Sequence, residues 1–179
     1  MRLALECRPF GIALNRRDQP TNALAPPKGG VVFTDPAGTY RLTVAKSWIS
    51  GTFDQPKSWF VDREQQAFND NVTVTGEVAR DDITLDQYLD ITVDNAPRVI
   101  EGFVLQSRDT ITLTSGERAG RLTFSGSVGP SKLALRFLAI IVLRGRRAMS
   151  VTLTATGAHF DTRVFENEPY LRTIEVLKS

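Results

Sequence analysis

Residues Lys132–Leu143 read Lys-Leu-Ala-Leu-Arg-Phe-Leu-Ala-Ile-Ile-Val-Leu, then pass through Arg144-Gly145-Arg146 into Arg147–Thr156, Arg-Ala-Met-Ser-Val-Thr-Leu-Thr-Ala-Thr. The first segment is apolar at both odd and even positions, interrupted internally only by Arg136. A strand of that composition belongs inside a sheet whose two faces are both covered. It is too short to span a bilayer as a helix. The second segment alternates, placing Met149, Val151, Leu153 and Ala155 on one face and Ala148, Ser150, Thr152, Thr154 and Thr156 on the other. Period two is the signature of a strand, and the short Arg-Gly-Arg connection makes the pair an antiparallel hairpin.

Working outward, Tyr40–Val44 alternates, as does Val72–Thr75 leading toward Val78. Phe103–Arg108, Thr110–Thr114 and Arg118–Ser125 read as further strands, with Ser115-Gly116 as a turn and Gly126, Gly129 and Pro130 as a looser loop. Thr84 and Gln87 form a capping box, after which Leu85, Leu89, Val93 and Ala96 share one helical face until Pro97. A second helix is expected over 161–177, with Phe165, Leu171, Ile174 and Leu177 packing on the sheet and Pro169 disturbing its middle. Trp48 and Trp59 are expected in the core. The pattern predicts one α+β domain over residues 31–179, an antiparallel sheet with helices laid against it. Residues 1–30, rich in proline and arginine, read as an irregular basic arm or a targeting remnant.

The chain has 179 residues, with 22 Lys and Arg against 20 Asp and Glu, one His and one Cys. A single Cys excludes an internal disulfide, and one Cys with one His cannot build a Cys/His zinc site within the chain. The isoelectric point near 8.9 hides a polarised distribution. Residues 54–109 carry 5 basic and 12 acidic side chains, whereas residues 110–179 carry 10 and 5.

Known catalytic and cofactor devices do not match. Ser127 lies in Ser-Gly-Ser-Val-Gly and misses the first glycine of a nucleophile elbow. Gly129-Pro130-Ser131-Lys132 lacks P-loop spacing, and its proline removes an amide that would cradle phosphate. His159 and Asp161 stand two apart at the entry to the last helix, where Asp161 has an ordinary capping role. No cofactor or metal is expected. Two charge features are sharper. Asp86, Asp90 and Asp94 recur every four residues and form an acidic stripe on the first helix. Arg144, Arg146 and Arg147 in the hairpin turn, with Arg136 on the preceding strand, form a basic group. These seven residues are the candidate partner contacts.

The order of segments resembles the PsbP-like superfamily. The resemblance rests on Phe33–Val44 followed by Lys46-Ser47-Trp48, on Asn71–Val74, on Thr84–Leu89, on Gly120–Phe124, and on Arg147–Ala155, and it spans roughly residues 31–178. That superfamily includes the PsbP extrinsic subunit of photosystem II, a Ran-binding Mog protein, DcrB-like and LpqN-type bacterial proteins, and the Eag chaperones of type VI secretion effectors. The resemblance implies an α/β/α sandwich, an antiparallel sheet between helical layers, and a role in protein binding or complex assembly rather than catalysis. Metal sites in the family rely on histidines, and this chain offers only His159.

The expected function is therefore a non-enzymatic protein-binding or assembly module, with a protein and not a nucleic acid as partner. One alternative is a PsbP-type extrinsic photosystem II subunit that supports ion retention. Another is a small-ligand carrier or hydrolase working near His159 and the tryptophans. The sequence shows no transmembrane segment and is compatible with peripheral membrane association. As read, the chain is expected in the cytoplasm, or in a cell envelope or thylakoid lumen if a targeting segment is missing or degraded.

Overall fold

The computed structural model describes residues 27–51, 57–61, 68–129 and 132–177. The expected arm over 1–30 thus lies almost wholly outside the described residues. In chain order the elements are β1 (Gly30–Thr34), β2 (Tyr40–Ala45), β3 (Ile49–Ser50), β4 (Lys57–Phe60), β5 (Asn71–Val78), α1 (Leu85–Asn95), β6 (Glu101–Thr112), β7 (Arg118–Ser127), β8 (Ala134–Arg144), β9 (Arg147–Thr156), α2 (Phe160–Leu171) and β10 (Glu175–Val176). A single 3-10 turn, Ala96–Arg98, follows α1, with Pro97 in its first turn.

β8 and β9 form the expected antiparallel hairpin, from Arg144 opposite Arg147 to Leu135 opposite Thr156. Gly145 supplies the positive φ, 57°, that a two-residue hairpin connection asks of its first position. The hairpin lies inside a seven-stranded antiparallel sheet of order β3-β4-β5-β9-β8-β7-β6. Both faces of β8 are buried, Leu138, Ile140 and Val142 on one side and Leu135, Phe137, Ala139 and Ile141 on the other. The α+β architecture with helices on both faces follows from covering that strand twice.

The layer over Leu138, Ile140 and Val142 combines α2 with a second sheet, β1-β2-β10, which the sequence pattern did not separate from the first. The expected helix over 161–177 is corrected here: α2 ends at Leu171, and Glu175-Val176 pairs with Arg41 and Tyr40 of β2. Thr173 Oγ1 donates to the Tyr170 carbonyl, and the Arg172 carbonyl accepts from the amide and hydroxyl of Thr114, so carbonyls at the end of the helix are satisfied by the next turn and by the β6–β7 connection. Phe165 is also corrected, since it is 84% exposed. The inner face of α2 is set by Phe160, Val164, Asn167 and Leu171, and Phe165 stands about 100° from Val164 around the helix. Phe103–Arg108 and Thr110–Thr114 merge into β6, with register shifts near Glu101/Val104 and Leu105/Ser107 absorbing the irregularity. Trp48 and Trp59 are both buried as expected, and the Trp48 indole donates to Asn167 Oδ1 at 2.9 Å.

Two polar features fix α2 to the sheets. Asp70, 3% exposed, accepts from the Thr156 amide at 3.3 Å and from Arg163 Nε at 2.9 Å. Glu168 accepts two hydrogen bonds from Arg121 of β7, at 3.1 and 3.0 Å, and two from Arg172, at 2.9 and 2.6 Å. Burial alone would raise the Glu168 pKa, but the bonds and charges of Arg121 and Arg172 outweigh it and hold the carboxyl below its ordinary value.

A depressed folded-state pKa contributes stability that is complete above the ordinary glutamate value of 4.5 and is lost as pH falls through the lower folded value. Glu168→Gln should cost about 1–3 kcal/mol at neutral pH and flatten the acid limb, as urea melts across a pH series would read. Tyr40 is a contrasting case: it is 4% exposed and its hydroxyl is buried without a hydrogen-bond partner among the described residues. Tyr40→Phe removes an unpaired buried group that costs about 1–3 kcal/mol, so its thermal midpoint should match or exceed wild type.

Candidate functional site

Among the described residues, the remaining face of the main sheet receives α1 and the 3-10 turn behind it. Thr84 caps the helix as expected, accepting from the Gln87 amide at 3.2 Å while Gln87 Oε1 accepts from the Thr84 amide at 2.9 Å. Leu89 is its buried residue and lies on the bare backbone of Gly120 in β7, where a Cβ would fall 2.5 Å from Leu89 Cδ2. A second close approach follows the helix, where a Cβ on Gly126 would meet Ile100 Cγ2 at 2.3 Å. Two glycines of one strand thus seat the helix and the turn behind it.

Between these seats and β6 runs a groove of about 530 Å³, lined mainly by Ile91, Val93, Val99, Ile100, Phe103 and Phe124. The Phe103 and Phe124 rings lie 5.5 Å apart, and Phe124 stacks on Phe137 at 4.8 Å. Val99 is 75% exposed, and Leu105, opposite Phe124 in the β6–β7 register, is partly exposed on the same face. Tyr88 closes one side, its hydroxyl donating to Glu77 Oε1 at 2.7 Å. Burial first, and then the Glu77 carboxylate, raise the Tyr88 pKa well above its usual range, so the phenol stays protonated. Over β5 and β9 the same face presents hydroxyls instead, Thr73, Thr75, Ser150 and Thr152.

The acidic stripe lies along the exposed side of α1, and it is not uniform. Asp90 is ion-paired with the Arg108 guanidinium of β6, which also donates to the Asp86 carbonyl at 2.9 Å. The Asp86 and Asp94 carboxylates have no partner among the described residues. The four arginines do not form one patch. Arg136 lies eight residues from Arg144 along β8, roughly 26 Å. It sits 4.2 Å from the Phe160 ring centroid and bridges to Asp161 at 3.1 Å. Arg144 donates to the Val176 carbonyl at 2.6 Å, and Arg146 pairs with Asp81 at 2.9 Å. Arg147 has no hydrogen-bonding or ionic partner among the described residues. His159 faces Asp70 at 3.6 Å, while Asp161 is held by Arg136, so the two are not directed at one another. The groove has no signature in the sequence, because glycines at 120 and 126 signal a close approach only once the helix they receive is known.

No family model and no curated protein matches the sequence. Solved structures do. PA94 of Pseudomonas aeruginosa, a protein of unknown function, superposes with a TM-score of 0.60 at 15% identity, covering 84% of this chain and 99% of its own. Cyanobacterial PsbP (CyanoP) from Synechocystis gives a TM-score of 0.60 at 15% identity, covering 83% and 92%. The chain has the PsbP-like fold. The Ran-binding protein Mog1p of Saccharomyces cerevisiae shares it, with a TM-score of 0.54 at 10% identity over 82% of this chain and 95% of that one. Among the described residues no helix is long and apolar enough to cross a membrane. Within this PsbP-like frame the groove depends on Gly120. Gly120→Ala should destabilise the domain by about 1–3 kcal/mol in denaturant melts, since an added Cβ would meet three atoms of the buried Leu89 side chain and force it to shift.

Proposed function

We propose that this domain is a non-enzymatic binding module that engages a protein partner through the groove between α1 and β6–β7. The observation that carries the reading is the exposed apolar lining of that groove, Val99 above all, on a face that one helix covers only in part. Concave apolar surfaces with a polar border suit a partner's apolar side chains, which lose water on docking. On the outer side of the same helix, Asp86 and Asp94 have no partner among the described residues, which favours a partner whose basic residues reach across α1. The Ran-binding role named for Mog1p supports binding as a use of this fold. The same reading covers assembly or chaperone-like roles, which differ only in what the bound protein does next.

A photo-crosslinking residue placed at Val99 should capture a defined partner, whereas one at Phe165, on the opposite layer, should not. The purified partner should then bind the wild-type domain, and Val99→Asp and Leu105→Asp should each weaken it by about tenfold or more with unfolding midpoints unchanged. Equal capture from both positions, or full affinity in both variants, would overturn the reading.

A further inference from the structure

The opposite face of the main sheet holds a second opening, a cleft of about 440 Å³ where the second sheet stops short of the ends of β5 and β9. The strand register decides which side chains enter it. Lys57 lies opposite Val74, Gly76 opposite Met149, and Val78 opposite Arg147, so all six belong to the face that also carries buried Trp59, Val72 and Val151. Glu77 alternates to the other face, where its carboxylate holds the Tyr88 hydroxyl. The carboxylate left beside the cleft is Asp35, and it already accepts from Thr39 Oγ1 at 2.6 Å and from the Thr39 amide at 3.3 Å.

The donors are less occupied. Arg147 has no partner among the described residues and stands at one end of the cleft. Lys57 stands at the other, four residues away along β5, with its ammonium on Ser50 Oγ at 2.7 Å and over the Phe33 and Trp59 rings. Tyr40 forms part of the wall, and its buried hydroxyl has no acceptor among the described residues. Burial, and then the Asp35 carboxylate, keep that phenol protonated. Between the ends lie Val74, the bare backbone of Gly76 and the Met149 thioether across it, with Val78 71% exposed at the rim.

A guanidinium with no counter-ion among the described residues, a further cation and an apolar floor define one ligand chemistry. We propose that this cleft binds a small amphipathic carboxylate, with the carboxylate on Arg147 and the apolar body along Val74, Gly76 and Met149. The site is separate from the α1 groove and stands whether or not that groove binds protein.

Octanoate is a suitable probe, with octanol and inorganic phosphate as comparison arms, followed by amide NMR on the full chain. Octanoate should give saturable shifts at Val74–Val78, Arg147 and Met149, while octanol and phosphate at equal concentration should not saturate. Loss of a charge-assisted contact in Arg147→Gln should weaken octanoate about ten- to a hundredfold, and Arg147→Lys should recover part of it. Val78→Trp, at an exposed rim position, should block the cleft while leaving the thermal midpoint unchanged. The proposal is overturned if octanol binds as well as octanoate, if Arg147→Gln keeps wild-type affinity, or if the shifts fall in the α1 groove instead.

Discussion

The whole arrangement depends on β8 being buried on both faces. Its residues Leu135 and Phe137–Val142 are each 6% exposed or less, and their backbone groups are committed to β7 on one side and β9 on the other. Each large apolar side chain moved out of water contributes about 1.5–3 kcal/mol, so leaving either row uncovered would forfeit several such terms at once. A sheet with one such strand must have two cover layers. Arg136 interrupts the row only near its end, where its guanidinium rests on Phe160 and reaches Asp161.

The two layers are unequal, and that inequality sets where binding surfaces lie. On one side α2 and the three-stranded sheet share the work, tied down by Glu168 between two arginines and by buried Asp70. On the other side stands α1, whose 11 residues reach about 16 Å across a seven-stranded sheet roughly 29 Å wide. The uncovered part must tolerate water. Over β5 and β9 it does so with threonine and serine hydroxyls, but over β6 and β7 it remains apolar, and there the groove forms.

Local pattern and long-range pairing divide what the sequence discloses. The β8–β9 hairpin, the Thr84–Gln87 capping box and the burial of Trp48 and Trp59 were legible, because each is signalled by spacing or by residue type. The second sheet was not. Glu175-Val176 is a two-residue strand whose partner is Arg41-Tyr40, and no local feature distinguishes it from the end of a helix. Phe165 was misplaced for a related reason: the face of α2 is chosen by Phe160, Asn167 and Leu171 together, not by the hydrophobicity of one position. The period of the acidic stripe was plain in the sequence, whereas the capture of Asp90 by Arg108 depends on how α1 crosses the sheet.

The same distinction alters the meaning of the charge distribution. An acidic first half and a basic second half suggest two surfaces seeking outside partners. In the folded chain much of that polarity is spent internally: Arg146 meets Asp81, Arg163 meets Asp70, Arg121 meets Asp109, and Lys132 meets Glu101. The Arg146–Asp81 and Lys132–Glu101 pairs are solvent-exposed and add little to stability. Their consequence is selective, because they remove charges from the set available to a ligand. What remains is informative by its position. Asp86 and Asp94 stand along the exposed side of α1 on one face of the sheet, and Arg147 stands at the mouth of a cleft on the other. Charge left without a partner among the described residues is therefore presented on both sides of the sheet, with opposite sign, and a ligand suited to one side is electrostatically mismatched to the other.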